Sequence, residues 1–507
     1  MSDATPEIRS ACPPPPALVG ALLVGLIGSL GALVSAGVIL GMGTHPGWLF
    51  LTPLIPLGLA ALAVMLAHVE AGLCLIAFAI CPLGVVQREI VGVTVGLPEV
   101  LILLVFAKEA FFFLLRRERF PAAFPWPCIL AYAAVALLGM HTGWKHGHNP
   151  IAILQDCRQF TEFIMVYILV IHRVRSRRLM RRILLCYVLG GTILAAHGIL
   201  ERFTNIGVPL NQVLSDAVYH GGTRSGSFYG ATPLGGLLVL TVCSIIALVL
   251  STRSFVARIW LAAAGVVCVA AIVFTNTRAS WVALLFALVF VFLSIRRSVL
   301  LVSGVIIASM LFSMTLGPLV AVRMKKIEFT KGERSLLERV DYYTVAWYIF
   351  RDYPLRGLGW GAQYTRASIL QNKRYIPRRP YREIERNLSN EESTVHSAYL
   401  QLLTKLGLVG LAGFLVIIIH WLVQVMRERR MSTRKELDHN LFIATAGGVL
   451  GYLLHSSLEN FFQWPVMAQS FWLFLGLTTL MAHRLLTQQG QLEVDAPQPP
   501  ATVPAET

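Results

Sequence analysis

Residues 393–424 read STVHSAYLQLLTKLGLVGLAGFLVIIIHWLVQ. A polar loop ends here and an apolar helix begins. Such a run is long enough to cross a hydrocarbon core about 30 Å thick. Lipid offers the backbone no hydrogen-bond partners, so the run must be helical. His396 sits at its mouth. An imidazole there can take a proton near neutral pH where water is scarce. It can equally be a helix-end residue that only touches headgroups.

Working outward, the same pattern recurs along the chain. Apolar runs fall at 17–41, 48–67, 70–86, 97–115, 127–141, 159–173, 182–200, 231–251, 257–275, 279–295, 298–318, 397–424, 439–457 and 466–483. The run at 70–86 is broken by Pro82 and that at 127–141 is short, so the count is 12–14. Charged residues make up 14% of the chain, against about 25% in soluble domains. The expectation is an all-α membrane protein with one long loop bearing short helices.

The basic clusters 116–119, 173–182, 253–258, 296–297 and 427–435 all fall on one side when fourteen spans are drawn. The positive-inside rule assigns that side to the cytoplasm. The expected segments are a cytoplasmic tail at 1–16, helices over 17–318, a periplasmic loop at 319–396, helices over 397–484 and a cytoplasmic tail at 485–507. The loop carries fifteen Lys/Arg against nine Asp/Glu. Loops this long translocate largely regardless of charge. It holds an expected amphipathic helix at about 334–350, with Leu336, Val340, Tyr343, Trp347 and Phe350 on one face. Pro354 ends that helix, and Gly357, Gly359 and Gly361 form a turn. Without a following Lys-Ser/Thr, these glycines are not a phosphate-binding loop of the nucleotide type.

The net charge of +16 sits mostly in short loops. With no basic stripe and no interleaved aromatics, it gives no sign of nucleic-acid binding. The eight cysteines form no CxxC pair and lie mainly in apolar runs. They read as core residues, so no metal site is expected.

Several arginines share the outer side with His396. Arg224 lies in GGTRSGSF (221–228) and Arg278 in TNTRASW (275–281). Arg158 precedes the run at 159, and Arg339 lies in the long loop. A guanidinium presents a planar fork that suits phosphate oxygens. A base beside such arginines suits a substrate with an anionic diphosphate at the membrane surface. No DxD-like carboxylate pair lies on that side. Glu201, Glu391, Glu392 and Glu459 read as solvated loop charges. A transporter or flippase of the same lipid-linked anion is the alternative of another class, but it calls for charge at mid-membrane depth. The spans read as nearly free of such charge, and no internal repeat is visible.

These pieces together resemble the O-antigen ligase and polymerase family of bacterial envelope proteins. The resemblance rests on RSGSF (224–228), TRAS (277–280), Arg339 with PLRGLG (354–359), and VHSAYL (395–400) followed by GLVG (407–410). It covers roughly 200–425, with Ser397 standing where Asn is common in the family. The resemblance implies a multi-span enzyme that moves a glycan from a polyprenyl diphosphate carrier to an acceptor hydroxyl on the periplasmic face of the inner membrane. It implies His396 as the catalytic residue and Arg224 and Arg278 as diphosphate-binding residues, with Arg158, Arg339 and Tyr399 as further substrate contacts. No cofactor is implied. The expected partners are the carrier-linked donor, a glycan or lipid A-core acceptor, and the bilayer. Ligase and polymerase differ in acceptor; the expectation here is a ligase, with a polymerase as the alternative.

Overall fold

The computed structural model describes residues 63–64, 67–84, 87–90, 93–116, 126–204, 227, 230–295, 334–362, 395–431, 436–461 and 464–494. The runs expected at 17–41 and 298–318, and nearly all of 48–67, lie outside these residues. The chain divides into two units, Met1–Leu75 and Ile76–Thr507. The described part of the first includes the start of helix α1 (Val69–Ile80). Everything below concerns the second.

The second unit is an all-α membrane fold. A short antiparallel ribbon, β1 (Gln87–Ile90) with β2 (Val93–Gly96), leads into α2 (Leu97–Arg116). Then come α3 (Trp126–Lys145), α4 (Pro150–Arg173), α5 (Arg177–Thr204), α6 (Ala231–Ser251), α7 (Phe255–Phe274) and α8 (Arg278–Ser294). The loop helix α9 (Arg334–Asp352) precedes α10 (Ala398–Met431), α11 (Glu436–Ser456) and α12 (Pro465–Val494). Six of the described helices are long and apolar enough to cross a membrane: α3, α5, α6, α7, α10 and α12. Helix starts follow local chemistry. Asn149 caps α4 by accepting from Ile151 N, with Pro150 in the first turn, where its missing N–H costs nothing. Ser254 caps α7 in the same way.

Burial sorts the helices into layers. The apolar windows of α6 and α12 are 83% and 94% buried, those of α7 and α10 only 28% and 33%. The first pair forms the centre of the bundle. The second pair faces outward and exposes Trp260, Val266 and Ile419, while α8 exposes Leu293. So much apolar surface is sustained by lipid, not by water. Small residues let the central helices approach. A Cβ on Gly451 of α11 would meet the Ala283 carbonyl of α8 at 2.7 Å, and one on Gly448 would meet Cys243 of α6 at 2.9 Å.

Helix α10 is not straight. Gly407 has φ 65° and ψ −162°, breaking the helix there. In an unbroken helix, residues 399 and 414 would lie about 22 Å apart. Their rings lie 6.3 Å apart. The first section, 398–406, therefore folds back sharply against the second. The strap 353–362 fills the break. Leu358 N and Gly359 N donate to the carbonyls of Thr404 and Lys405 at 2.9 and 2.7 Å, and Leu408 N donates to Pro354 O at 2.8 Å. Irregular backbone at a membrane surface is tolerated where protein satisfies it. Gly357, Gly359 and Gly361 have φ of 63°, 88° and 79°, a region open to glycine. They form the expected turn.

One expectation needs correction. The buried face of α9 is Tyr342, Val345, Ala346 and Ile349, packed with Ala362 and Val395. Trp347, placed on the apolar face by its spacing, is 60% exposed. The buried face is therefore rotated from the expected one, and Tyr343 packs against it only in part. Charged side chains near the helix ends are paired. Lys405 of α10 pairs with Asp156 of α4 at 2.6 Å, and Arg158 of α4 pairs with Glu99 and Glu162 at 2.7 and 2.9 Å. Glu109 pairs with Arg173. Buried charge is retained when it is paired in this way.

Candidate active site

His396 is placed by a strained backbone. Its φ is 40°, a left-handed conformation that a non-glycine residue adopts at a cost of about 1–3 kcal/mol. Two other described non-glycine residues share this feature, Ser227 and Asn276. All three lie in the outer-side motifs singled out from the sequence. Such strain persists only where the surrounding contacts over-determine it.

Those contacts are visible around His396. Its Nδ1 lies 3.4 Å from Glu459 Oε1. Glu459 is 7% exposed and sits in the turn between α11 and α12. Arg339 of α9 approaches the other carboxylate oxygen at 3.9 Å. Burial alone pushes the Glu459 carboxyl up; the hydrogen bond and charge of His396, with the charges of Arg339 and His455, outweigh it and hold the group below its ordinary value. The carboxylate is therefore ionised at neutral pH. Tyr343 O–H donates to the His396 carbonyl at 3.5 Å, and the Tyr342 ring lies 5.6 Å from the imidazole. Burial raises the Tyr343 phenol, with Arg339 opposing and Glu459 adding to the rise, so it stays protonated and able to donate. Helix α9 thus supports the imidazole from one side and the α11–α12 turn from the other.

The carboxylate is the main correction to the reading of this site. Glu459 is not a solvated loop charge, and Glu201 is likewise buried at 6% exposure. Glu391 and Glu392 lie outside the described residues. The sequence did carry a signal. The loop between the last two spans is too short to leave the outer mouth, so a carboxylate in LENFFQ (458–463) had to lie near that surface.

Arg278 opens α8 after a three-residue turn. Thr277 N donates to Thr275 Oγ1, and Asn276 N to Val273 O. The Arg278 side chain is exposed, at the end of the bundle that carries His396. Thr277, the N-cap residue, makes no side-chain cap bond. Ser280, buried two residues later, bonds His455 Nε2 at 2.9 Å, and that ring stacks on Phe461 at 5.2 Å. The TRAS segment therefore packs against the turn that carries Glu459. Tyr399 O–H donates to Leu453 O at 3.0 Å, which ties the folded-back section of α10 to α11. Arg224 lies outside the described residues. Ser227, three residues on, bonds His197 of α5 at 2.9 Å. Arg158 is held between Glu99 and Glu162 on α2 and α4, a helix-locking arrangement.

Among the described residues, no three His, Cys, Asp or Glu side chains gather in a group that could hold a metal ion.

Residues 263–415 match the family described as O-antigen ligase. The chain carries an O-antigen ligase domain. The matched stretch of this glycosyltransferase-type domain takes in Arg278, Arg339, His396 and Tyr399. It is narrower than the 200–425 resemblance, leaving Arg224 before it and Glu459 after it. Together with the long apolar helices, the match supports a multi-pass membrane protein that carries a domain of the ligase/polymerase type. No curated protein matches it.

Proposed function

We propose that this O-antigen ligase domain transfers a glycan from a polyprenyl diphosphate carrier to an acceptor hydroxyl, at the periplasmic face of the inner membrane, with a ligase-type acceptor such as a lipid A-core sugar. The observation that carries the reading is the His396–Glu459 pair, a base candidate beside a buried carboxylate at the bundle's outer end.

In this reading, Glu459 accepts from Nδ1–H, which leaves Nε2 as the proton acceptor. This division of roles is how a carboxylate supports an imidazole base. The acceptor oxygen bonds to the anomeric carbon of the donor, and its proton passes to His396. The bond from that carbon to the carrier diphosphate breaks, and the diphosphate leaves with the electron pair. Arg278 and Arg224 receive the charge that develops on it. The α8 N-terminus supports this placement, because a positive helix end and a guanidinium favour the same anion. Arginine supplies the positive charge, so the step needs no divalent metal.

The test is transfer by purified protein given a defined polyprenyl-diphosphate glycan and candidate acceptors. His396→Ala should lose about 100–10,000-fold in turnover while inserting normally. Near wild-type turnover would remove the base assignment. Turnover with a carrier-linked repeat and none with a core sugar would make the enzyme a polymerase.

A further inference from the structure

A cavity of about 500 Å³ opens at the end of the bundle opposite His396. Arg175, Arg177, Asp438, His483 and Arg484 line its polar side, and Met180, Leu441 and Met481 its apolar side. The elements that build it are the α4–α5 connection and the inner ends of α5, α11 and α12. Measured along α12, Arg484 lies nineteen residues from Pro465, or about 28 Å. That is about one hydrocarbon thickness. The cavity therefore sits at the second membrane surface, and the glycan-transfer site sits at the first.

Its charge is unbalanced. Among the described lining residues, three guanidiniums face one carboxylate. Asp438 pairs with Arg177, and Arg484 donates to the Val174 carbonyl. These contacts hold two of the arginines in place at the wall. Arg175 is exposed, and it lies in a connection that already carries Arg173, Arg178, Arg181 and Arg182 nearby in sequence. A volume of this size is in the range of small-ligand sites. A basic pocket with an apolar floor, set between membrane helices at headgroup level, has the two-part character of a phospholipid: phosphate above, acyl chain below.

We propose that this cavity binds the phosphate-bearing headgroup of an anionic phospholipid. The guanidiniums take the phosphodiester, and Met180, Leu441 and Met481 meet the upper acyl chain. A free phosphate shares the anionic half of this chemistry but does not use the apolar floor.

The full chain in lipid nanodiscs tests this. Native mass spectrometry reads the lipids retained from discs of phosphatidylglycerol mixed with phosphatidylcholine of the same chain length. Wild type should retain phosphatidylglycerol preferentially. Arg175→Glu should reduce that preference at least about fivefold, the effect of one basic residue at an anionic surface. Arg177→Gln, a milder change, should reduce it in the same direction. Arg258→Gln, at the same end but outside the cavity, should leave it unchanged. Equal retention of both lipids by wild type would overturn the site, as would a preference that Arg175→Glu and Arg177→Gln leave intact or that Arg258→Gln reduces equally. Displacement of the lipid by about 10 mM inorganic phosphate alone, with no difference between lipids afterwards, would overturn the lipid assignment.

Discussion

His396 Nδ1 and Glu459 Oε1 stand 3.4 Å apart, 63 positions apart in sequence. The strained φ of His396 and the short α11–α12 turn converge on this contact. It predicts that the carboxylate positions the base. Glu459→Gln keeps an acceptor oxygen but removes the charge, so turnover should fall by about 10–1,000-fold with little change in KM. The sign of the pH effect follows from the carboxyl being held below its ordinary value of 4.5. A depressed carboxyl supports the fold and the imidazole above its unfolded value, and that support is lost as pH falls through its folded value. The contact should therefore persist through mildly acidic pH. Glu459→Gln should keep close to the wild-type Tm in detergent, because the loss falls on turnover and not on the fold. Activity lost only in step with a lowered Tm would make Glu459 merely structural.

Arg224 and Arg278 should act through the geometry of their guanidiniums. Lysine keeps the charge and loses the fork. Arg224→Lys and Arg278→Lys should each lower kcat/KM by about tenfold or more, on the scale of one charge-assisted hydrogen bond. Steady-state kinetics with a defined donor would show it. Wild-type kinetics in both variants would make the arginines surface anchors.

Much of this architecture is legible in sequence because lipid imposes one rule. A run of about 20 apolar residues must be a helix, and helices were expected wherever α2, α3, α5 to α8 and α10 to α12 occur. The outer motifs were legible because charge beside an apolar run is costly. Three things were not. Glu459 has the sequence appearance of any loop carboxylate, and only folding buries it. The break at Gly407 is invisible because glycine is common inside membrane helices; its partner, the 353–362 strap, lies some fifty residues upstream. The face of α9 was misjudged because periodicity finds two apolar stripes there, and packing at 342, 345, 346 and 349 selects the smaller one.

The Gly407 break should be intolerant of a side chain. At φ 65°, an added Cβ is strained, and it would also meet Arg356 N at 2.5 Å. Backbone, unlike a flexible side chain, cannot move aside. Gly407→Ala should cost about 1–3 kcal/mol from the conformation alone, read as a lower Tm in detergent. Because the break aims residues 398–406, and so His396, activity should fall further than stability explains. Gly265→Ala is the control, since its added Cβ meets Ile245 at an ordinary 3.5 Å.

Transfer should survive removal of divalent metal. In the proposed step, arginine charge takes the part that Mg²⁺ plays in many phosphate-handling enzymes. Rates with and without EDTA should agree within about twofold on a scale where metal catalysis contributes several kcal/mol. Loss of activity in EDTA, restored by one added ion, would overturn the metal-free step.

Orientation gives the last prediction. Lys145 ends α3 at the same end of the bundle as His396, because α3 packs alongside α10 with Gly139 against Leu406 and Gly413 against Val135. Ser254 caps α7 at the other end, one full helix (α6) away from the outer face. Both positions are exposed. The positive-inside rule puts the Ser254 end in the cytoplasm, where Arg253 and Arg258 flank it. In a background without native cysteines, Lys145→Cys should react with an impermeant thiol reagent added outside the inner membrane. Ser254→Cys should react only after the membrane is opened. The reverse pattern would put His396, Glu459 and Arg278 in the cytoplasm. A periplasmic acceptor would then be out of reach, and the glycan-transfer reading would fail on access alone.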